Sequence, residues 1–176
     1  MHYGAVIGLG MLGRHHARLL QASERVTFVG AVDPVGDRFG AVNDARRVYA
    51  SIDELLERGA PDFAVVAVPT EEHAPVASYL AARGVHVLVE KPLAATLSEA
   101  RQIIEAVEGA GLHGVVGLVE RCNPALLELR RRVMGGQLGE IFLIATERVG
   151  PFPDRIRDVG VVKDLASHDL DLVRWL

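Results

Sequence analysis

The chain of 176 residues has a single cysteine, Cys122. One cysteine excludes an internal disulfide and a cysteine-rich metal site, so we predict no bound metal and a reducing, cytoplasmic setting. Basic residues are outnumbered: 19 Lys and Arg against 23 Asp and Glu give a net charge of −4, which disfavours nucleic acid or an anionic membrane as partner. No apolar run approaches the ~18 residues that span a bilayer, and we expect no signal peptide.

Short β-branched runs alternate with longer helical segments, which predicts βαβ units and a parallel sheet. Six strands are expected, over residues 5–7, 26–32, 47–49, 63–68, 85–89 and 114–119. In the first helix, from about residue 12, Leu12, Leu19 and Leu20 recur at helical spacing. The predicted fold class is α/β, a doubly wound parallel Rossmann sheet.

Helix starts are marked by capping signals. Ser51 and Glu54 form one predicted capping box, and Thr96 and Glu99 form another. Thr70 is predicted to cap the helix that ends at residue 84.

The pattern changes near residue 120, so we predict a dinucleotide-binding domain over 1–120 and a second region over 121–176. Asn123-Pro124 predicts the start of a helix that runs to about Met134. A strand over 141–148 and a helix from about Val162 follow. Because one strand makes no stable sheet, we expect the start of a truncated α+β C-terminal domain, whose exposed inner faces favour a homo-oligomer.

The loop Gly8-Leu9-Gly10-Met11-Leu12-Gly13 follows the first predicted strand and opens a helix. In a dinucleotide-binding loop the first glycine allows a tight turn, the second lets the backbone approach the pyrophosphate, and the third allows close helix packing. The helix N-terminus offers N–H groups to phosphate. This context favours a cofactor loop over the alternative, a plain turn, and predicts cofactor contacts from Gly8, Gly10, Met11, Leu12 and Gly13.

Asp33 ends the second predicted strand, twenty residues beyond Gly13. A carboxylate at this point accepts hydrogen bonds from ribose hydroxyls and repels a 2′-phosphate, so we predict NAD rather than NADP. Arg14, next to the loop, leaves NADP open as the weaker alternative.

Glu90-Lys91-Pro92 lies at the end of the fifth predicted strand, where open α/β sheets bind ligands. Together with the glycine loop, this tripeptide resembles the signature of the glucose-fructose oxidoreductase, inositol dehydrogenase and MocA family. Three further stretches resemble family segments in the same order: Pro69-Thr70-Glu71-Glu72-His73, Val119-Glu120-Arg121-Cys122-Asn123-Pro124-Ala125 and Asp164-Leu165-Ala166-Ser167-His168-Asp169. Cys122 departs from the family, which usually has an aromatic residue there.

The resemblance implies hydride transfer between a sugar carbon and nicotinamide, with Lys91, Asp164 and His168 as catalytic residues. His168 would take the hydroxyl proton, Lys91 would polarise the reacting oxygen or relay the proton, and Asp164 would orient or charge-balance the other two. Further cofactor contacts are expected from Pro69, Thr70, His73, Glu90 and Lys91. Substrate contacts are expected from Arg121, Asn123, Arg155 and Arg157.

The narrower resemblance of residues 148–162 is to UDP-N-acetylglucosamine 3-dehydrogenases, which implies a nucleotide-sugar substrate. Since the C-terminal domain is expected to be truncated, we predict cofactor binding with little turnover. The alternative from another class is a non-catalytic NAD-binding or NAD-sensing module. A zinc-dependent alcohol dehydrogenase is disfavoured because cysteine ligands are lacking.

Several residues keep two interpretations. Asp164 and His168 would otherwise belong to a salt-bridged surface, and Arg155 and Arg157 to the solvated surface. His73 is either a cofactor contact or a helix cap. Four other histidines are interpreted as surface or core residues: His15, His16, His86 and His113.

Overall fold

The computed structural model describes residues 1–147 and 166–176, and within them the chain forms two compact units, 1–116 and 117–176. The first unit is a parallel sheet with helices on both faces. Its strands are β1 (His2–Ile7), β2 (Val26–Val32), β3 (Val48–Tyr49), β4 (Phe63–Val66), β5 (His86–Val89) and β6 (Gly114–Val116). Its helices are α1 (Gly13–Ala22), α2 (Ile52–Glu57), α3 (His73–Ala81) and α4 (Leu97–Gly109).

The six strands lie in the order β3-β2-β1-β4-β5-β6, and every neighbouring pair is parallel. This order reverses between β1 and β4, as in the doubly wound dinucleotide-binding fold. The predicted fold class is confirmed. The sixth strand is shorter than expected, because the chain leaves the sheet after Val116 and forms a 3-10 turn at Val119–Cys122.

Strand register brings four strand ends into one row. Ile7 pairs with Val32 on one side and with Val66 on the other, and Val66 pairs with Val89. The residues that follow these four strands therefore share the carboxyl edge of the sheet: Gly8, Asp33, Ala67 and Glu90.

Alternate strand residues pack on opposite faces of the sheet, as the period of a strand requires. On one face a buried cluster joins Val66, Val87 and Val89 to side chains of α2, α3 and α4. On the other face Val6 and Val65 pack against Ala17 of α1 and against Val42. Both faces of the central strands are covered, which explains their nearly continuous apolar sequence.

The first helix presents small residues to the sheet. Gly13 and Ala17 are its buried positions, whereas Leu12 and Leu19 are 43% and 67% exposed. Leu20 is partly buried against the cluster of that face. The helix predicted from the leucine spacing is confirmed, but small residues carry its contact with the sheet because they allow the helix to approach closely.

The capping predictions had mixed outcomes. Thr96 and Glu99 form the complete capping box of α4. Ser51 caps α2 by accepting from the Glu54 N–H, but the Glu54 carboxylate accepts from Ala50 rather than from the cap residue. Thr70 instead begins a 3-10 turn, Thr70–Glu72, and α3 starts after it without a side-chain cap.

The second unit contains α5 (Pro124–Met134) and, after residues outside the described part, α6 (Ser167–Trp175). Asn123 caps α5 by accepting from the Ala125 N–H, as predicted. The strand expected over 141–148 was wrong for 141–147, which form no strand and are exposed. A strand needs a hydrogen-bonded neighbour, and none pairs with this segment among the described residues.

None of the described helices is long and apolar enough to cross a membrane.

Candidate functional site

The glycine loop shows why two of its positions require glycine. Gly8 has φ +92°, and a Cβ there would stand 2.6 Å from the Ala67 carbonyl oxygen. A Cβ on Gly13 would stand 1.8 Å from the Gly8 carbonyl oxygen. A side chain at either position would therefore displace backbone, and the two glycines let α1 and the ends of β1 and β4 pack together.

Gly10 is different, because a Cβ there would meet no atom within 4 Å. The following residues, Met11 and Leu12, are 45% and 43% exposed. The middle glycine therefore borders open space at the N-terminus of α1, where a phosphate would meet helix N–H groups. This pattern of two closed positions around an open one fits a loop that admits pyrophosphate.

Asp33 lies beside this loop. One carboxylate oxygen accepts from the Leu9 N–H at 2.9 Å, and the other accepts from the Val35 N–H at 2.9 Å. These two bonds fix the carboxylate against the loop, and each oxygen keeps a further lone pair for a ribose hydroxyl. The residues present therefore fit the adenosine side of a dinucleotide.

Arg14 also lies at this end of the loop, with its guanidinium carbon 4.5 Å from the centre of the Phe39 ring. This cation–π contact places a positive charge near the chain segment that follows Asp33. The contact neither supports nor removes the weaker NADP alternative.

Glu90 follows β5 and is only 5% exposed. One of its oxygens lies 2.6 Å from His16 Nε2, and the other accepts from the Lys91 N–H at 3.2 Å. A buried carboxylate is costly unless such partners compensate for lost water. Glu90 therefore faces protein groups, and its predicted contact with the cofactor stays a prediction.

His16 is the residue that sequence reasoning missed, because it was interpreted as an ordinary surface or core histidine. The two partners are 74 residues apart in the chain, so no local pattern joins them. A signal was present nonetheless. His16 lies three residues after the buried Gly13 on α1, and Glu90 shares a strand face with Leu88, which packs with the α1 cluster.

His73 begins α3 and is 1% exposed. Its Nδ1 lies 3.0 Å from the Pro92 carbonyl oxygen and 3.3 Å from that of Leu93, and its Nε2 lies 3.1 Å from that of Val68. Both ring nitrogens are thus engaged with backbone oxygens rather than with a helix N–H. The helix-cap interpretation was wrong, and the cofactor contact stays a prediction.

The remaining predicted cofactor residues lie at the same edge. Pro69 is exposed and Thr70 is buried in the turn that follows β4. Lys91 is half-buried, and its peptide bond to Pro92 is cis.

Within the second unit, Arg121 forms a two-pronged ion pair with Asp171 of α6, at 2.8 Å and 2.5 Å. Hydrogen bonding to Asp171 raises the pKa of this guanidinium above its usual value. Asn123 uses its side-chain oxygen to cap α5. Substrate contacts by Arg121 and Asn123 stay predictions, and both side chains already have structural partners.

The predicted catalytic His168 is the second residue of α6 and is half-buried. Asp164, Arg155 and Arg157 lie outside the described residues, so their predicted roles stay predictions. Among residues 1–147 and 166–176, no group of three or more His, Cys, Asp or Glu side chains is placed to hold a metal ion.

The sheet order, the open middle glycine and Asp33 together define a dinucleotide-binding Rossmann domain. Comparison with known proteins then gives the family. Residues 4–118 match the family model described as the GFO_IDH_MocA oxidoreductase family with an NAD-binding Rossmann fold. The chain belongs to the glucose-fructose oxidoreductase, inositol dehydrogenase and MocA family, as its motifs predicted.

Characterised relatives and solved structures agree. The chain is 34% identical over 178 residues to a myo-inositol dehydrogenase of Streptomyces leeuwenhoekii, covering 98% of this chain and 54% of that protein. It is 34% identical over 173 residues to the UDP-N-acetylglucosamine 3-dehydrogenase of Acidithiobacillus ferrooxidans, covering 97% and 53%. A structure of that enzyme superposes with a TM-score of 0.80 at 33% identity, covering 97% and 55% of the two chains.

The structure of GenD2 from gentamicin A biosynthesis, in complex with NAD, superposes with a TM-score of 0.80 at 29% identity, covering 99% of this chain and 53% of that one. The chain therefore spans about half the length of the relatives that it matches.

Proposed function

We propose that this chain carries the cofactor half of an NAD-dependent oxidoreductase that oxidises a hydroxyl carbon of a sugar or polyol. The observation that carries the proposal is the open position above Gly10, next to a carboxylate fixed by the loop itself. Gly10 and the N-terminus of α1 would hold the pyrophosphate, and Asp33 would accept from the adenosine ribose. Family membership supports this assignment.

NAD rather than NADP is proposed on the charge of Asp33. A 2′-phosphate carries negative charge, and next to a carboxylate it would be repelled. The relative GenD2 was solved with NAD, which supports the same choice.

The bound nicotinamide would supply the hydride acceptor, and the chain's residues would manage the proton of the reacting hydroxyl group. In the proposed scheme His168 takes that proton, since imidazole titrates near neutral pH. Lys91 donates a hydrogen bond to the same oxygen and stabilises its developing negative charge. Asp164 orients the imidazole. The substrate carbon becomes a ketone.

We propose a polyhydroxylated ring as the substrate, on the basis of the names of two relatives. One relative is a myo-inositol dehydrogenase and another a UDP-N-acetylglucosamine 3-dehydrogenase. A nucleotide sugar is the narrower proposal, with Arg155 and Arg157 as candidate ligands for its diphosphate.

The test is NADH formation, followed by absorbance, when the chain is mixed with NAD⁺ and either myo-inositol or a UDP-sugar. Because the proposal assigns only the cofactor half of the enzyme to this chain, it predicts slow NADH formation with at least one of these substrates. It also predicts a loss of at least a hundredfold in kcat for Lys91→Met, and little change for the exposed control His15→Leu. An active Lys91→Met variant would contradict the catalytic assignment. Cofactor binding without any turnover would instead support an NAD-binding module.

A further inference from the structure

The segment Glu90–Pro92 carries the proposed catalytic lysine at its centre, and two histidines from different helices contact its ends. His16 lies on α1, and His73 begins α3. Neither contact can be read from the family signature itself.

The first contact fixes the Glu90 side chain. His16 Nε2–H donates to one carboxylate oxygen at 2.6 Å, and the Lys91 N–H donates to the other at 3.2 Å. With Glu90 only 5% exposed, these two partners compensate for the hydration that burial removes. The imidazole is therefore linked, through one carboxylate, to the backbone of the lysine.

The second contact fixes the other end of the segment. The buried ring of His73 reaches the Pro92 carbonyl oxygen at 3.0 Å and the Val68 carbonyl oxygen at 3.1 Å, each with a different nitrogen. Val68 belongs to the chain leaving β4, and Pro92 to the chain leaving β5. Since a neutral imidazole has one N–H, the ring donates to one of these oxygens and packs against the other, between two neighbouring loops at the carboxyl edge of the sheet.

The two histidines lie on opposite faces of the sheet. Leu88 packs with the cluster that contains Ala17 of α1, whereas Val87 and Val89 pack with the cluster of α3 and α4. By strand alternation Glu90 follows Leu88 to the α1 face, where His16 meets it. His73 contacts the segment from the α3 face.

We propose that His16 and His73 are positioning residues that fix the Glu90–Pro92 backbone from the two faces of the sheet and so set the direction of the Lys91 side chain. The role of Lys91 in hydride transfer rests on the proposed function, but the two histidine contacts with the Glu90–Pro92 segment are present in the chain before any cofactor binds. Displacements of about 1 Å at a catalytic group can cost about a hundredfold in rate, so this orientation matters for turnover.

The chain allows a direct readout, since its only lysines are Lys91 and Lys163. Protein grown with lysine labelled with ¹³C at Cε should give two lysine signals, assigned with Lys91→Arg. Lys163 serves as the internal reference in every spectrum. The measurement is made without cofactor and is then repeated with NADH.

His16→Leu and His73→Leu should each move the Lys91 signal toward the position of lysine in an unfolded peptide and leave the Lys163 signal unchanged. His16→Gln, which keeps an N–H donor, should restore the native position. His15→Leu is the matched control, because His15 is the exposed neighbour on α1 and accepts a hydrogen bond from Arg14. NADH affinity in His16→Leu should stay within about twofold, about 0.4 kcal/mol, while kcat falls at least tenfold.

An unchanged Lys91 signal in folded His16→Leu and His73→Leu would overturn the proposal, and so would failure of His16→Gln to restore it. If His73→Leu does not fold, as judged by circular dichroism, His73→Phe is the substitute, because it keeps a ring without an N–H donor and should move the Lys91 signal in the same way. Failure of the wild-type chain to bind NADH would contradict the proposed function alone, because the spectra without cofactor still test the positioning.

Discussion

Alanine at Gly10 and alanine at Gly13 should have opposite consequences, although both glycines belong to one loop. At Gly10 the added methyl group meets no atom of the chain within 4 Å. At Gly13 it would stand 1.8 Å from the Gly8 carbonyl oxygen and 2.8 Å from the carbonyl carbon. The first substitution should therefore affect ligand binding, and the second should affect folding.

The magnitudes follow from these distances. Gly10→Ala places a methyl group where the pyrophosphate would approach and displaces one or two charged hydrogen bonds, each worth about 1.5–3 kcal/mol. We expect NADH affinity to fall at least tenfold, with stability changed by less than about 1 kcal/mol. Gly13→Ala forces backbone apart, and such overpacking costs about 1–3 kcal/mol or more, which exceeds the gain in helix propensity of at most about 1 kcal/mol.

The assay pairs thermal unfolding with an NADH titration for both variants and the wild-type chain. Gly13→Ala should lower Tm by roughly 2–4 °C for each kcal/mol lost, and Gly10→Ala should melt close to the wild type. Gly109→Ala is a control for the general cost of replacing an unobstructed glycine, because a Cβ there would also meet no atom within 4 Å. Wild-type NADH affinity in Gly10→Ala, or wild-type stability in Gly13→Ala, would refute the reasoning.

Two further predictions concern single helices. Leu19→Ser should change the unfolding free energy by less than about 0.5 kcal/mol because Leu19 is 67% exposed. Ala17→Leu, at a fully buried position, should lower the unfolding free energy by about 1–3 kcal/mol. Urea unfolding measures both variants, and equal effects would contradict the packing of α1. Hydrogen bonds from Arg131 and then Arg132 lower the pKa of Glu128 from its usual 4.5 to about 2. The contribution of the ionised Glu128 to stability is therefore present above pH 4.5 and is lost as the pH falls through 2. A carboxyl ¹³C titration of Glu128 with a midpoint near 4.5 would contradict this pKa shift.

Much of the fold could be predicted from local sequence. The run Phe63–Val66 is apolar because both faces of β4 are covered, and Thr96 with Glu99 starts α4 through a complete capping box. Each of these sequence patterns is short, and the contacts that explain it lie within the same few residues or within one packed layer. The glycine loop was predictable for the same reason.

Errors arose where distant partners decide the structure. Residues 141–147 alternate like a strand, but alternation supplies no hydrogen-bonded neighbour, and the described structure shows none. Likewise Leu19 follows a helical spacing, but the close approach of α1 to the sheet leaves room only for small residues such as Ala17.

The candidate site divides in the same way. The glycines and Asp33 could be found because their spacing follows from a local turn and one strand. The helical spacing from Gly13 places His16 toward the sheet, but it does not name the partner, since the contact with Glu90 exists only after β1, β4 and β5 have been aligned in the sheet.

The central claim, that a dinucleotide binds the glycine loop and that Asp33 selects NAD, is tested most directly by calorimetric titration with NADH and with NADPH. The chain, Asp33→Ala and the control Asp37→Ala would be compared. Asp37 lies in the same loop and accepts from the Val42 and Phe39 N–H groups, so its variant reports loop damage alone. The account predicts tighter NADH than NADPH binding in the wild type and in Asp37→Ala, with the preference lost in Asp33→Ala. Absence of binding to either nucleotide, or a preference unchanged in Asp33→Ala, would contradict it.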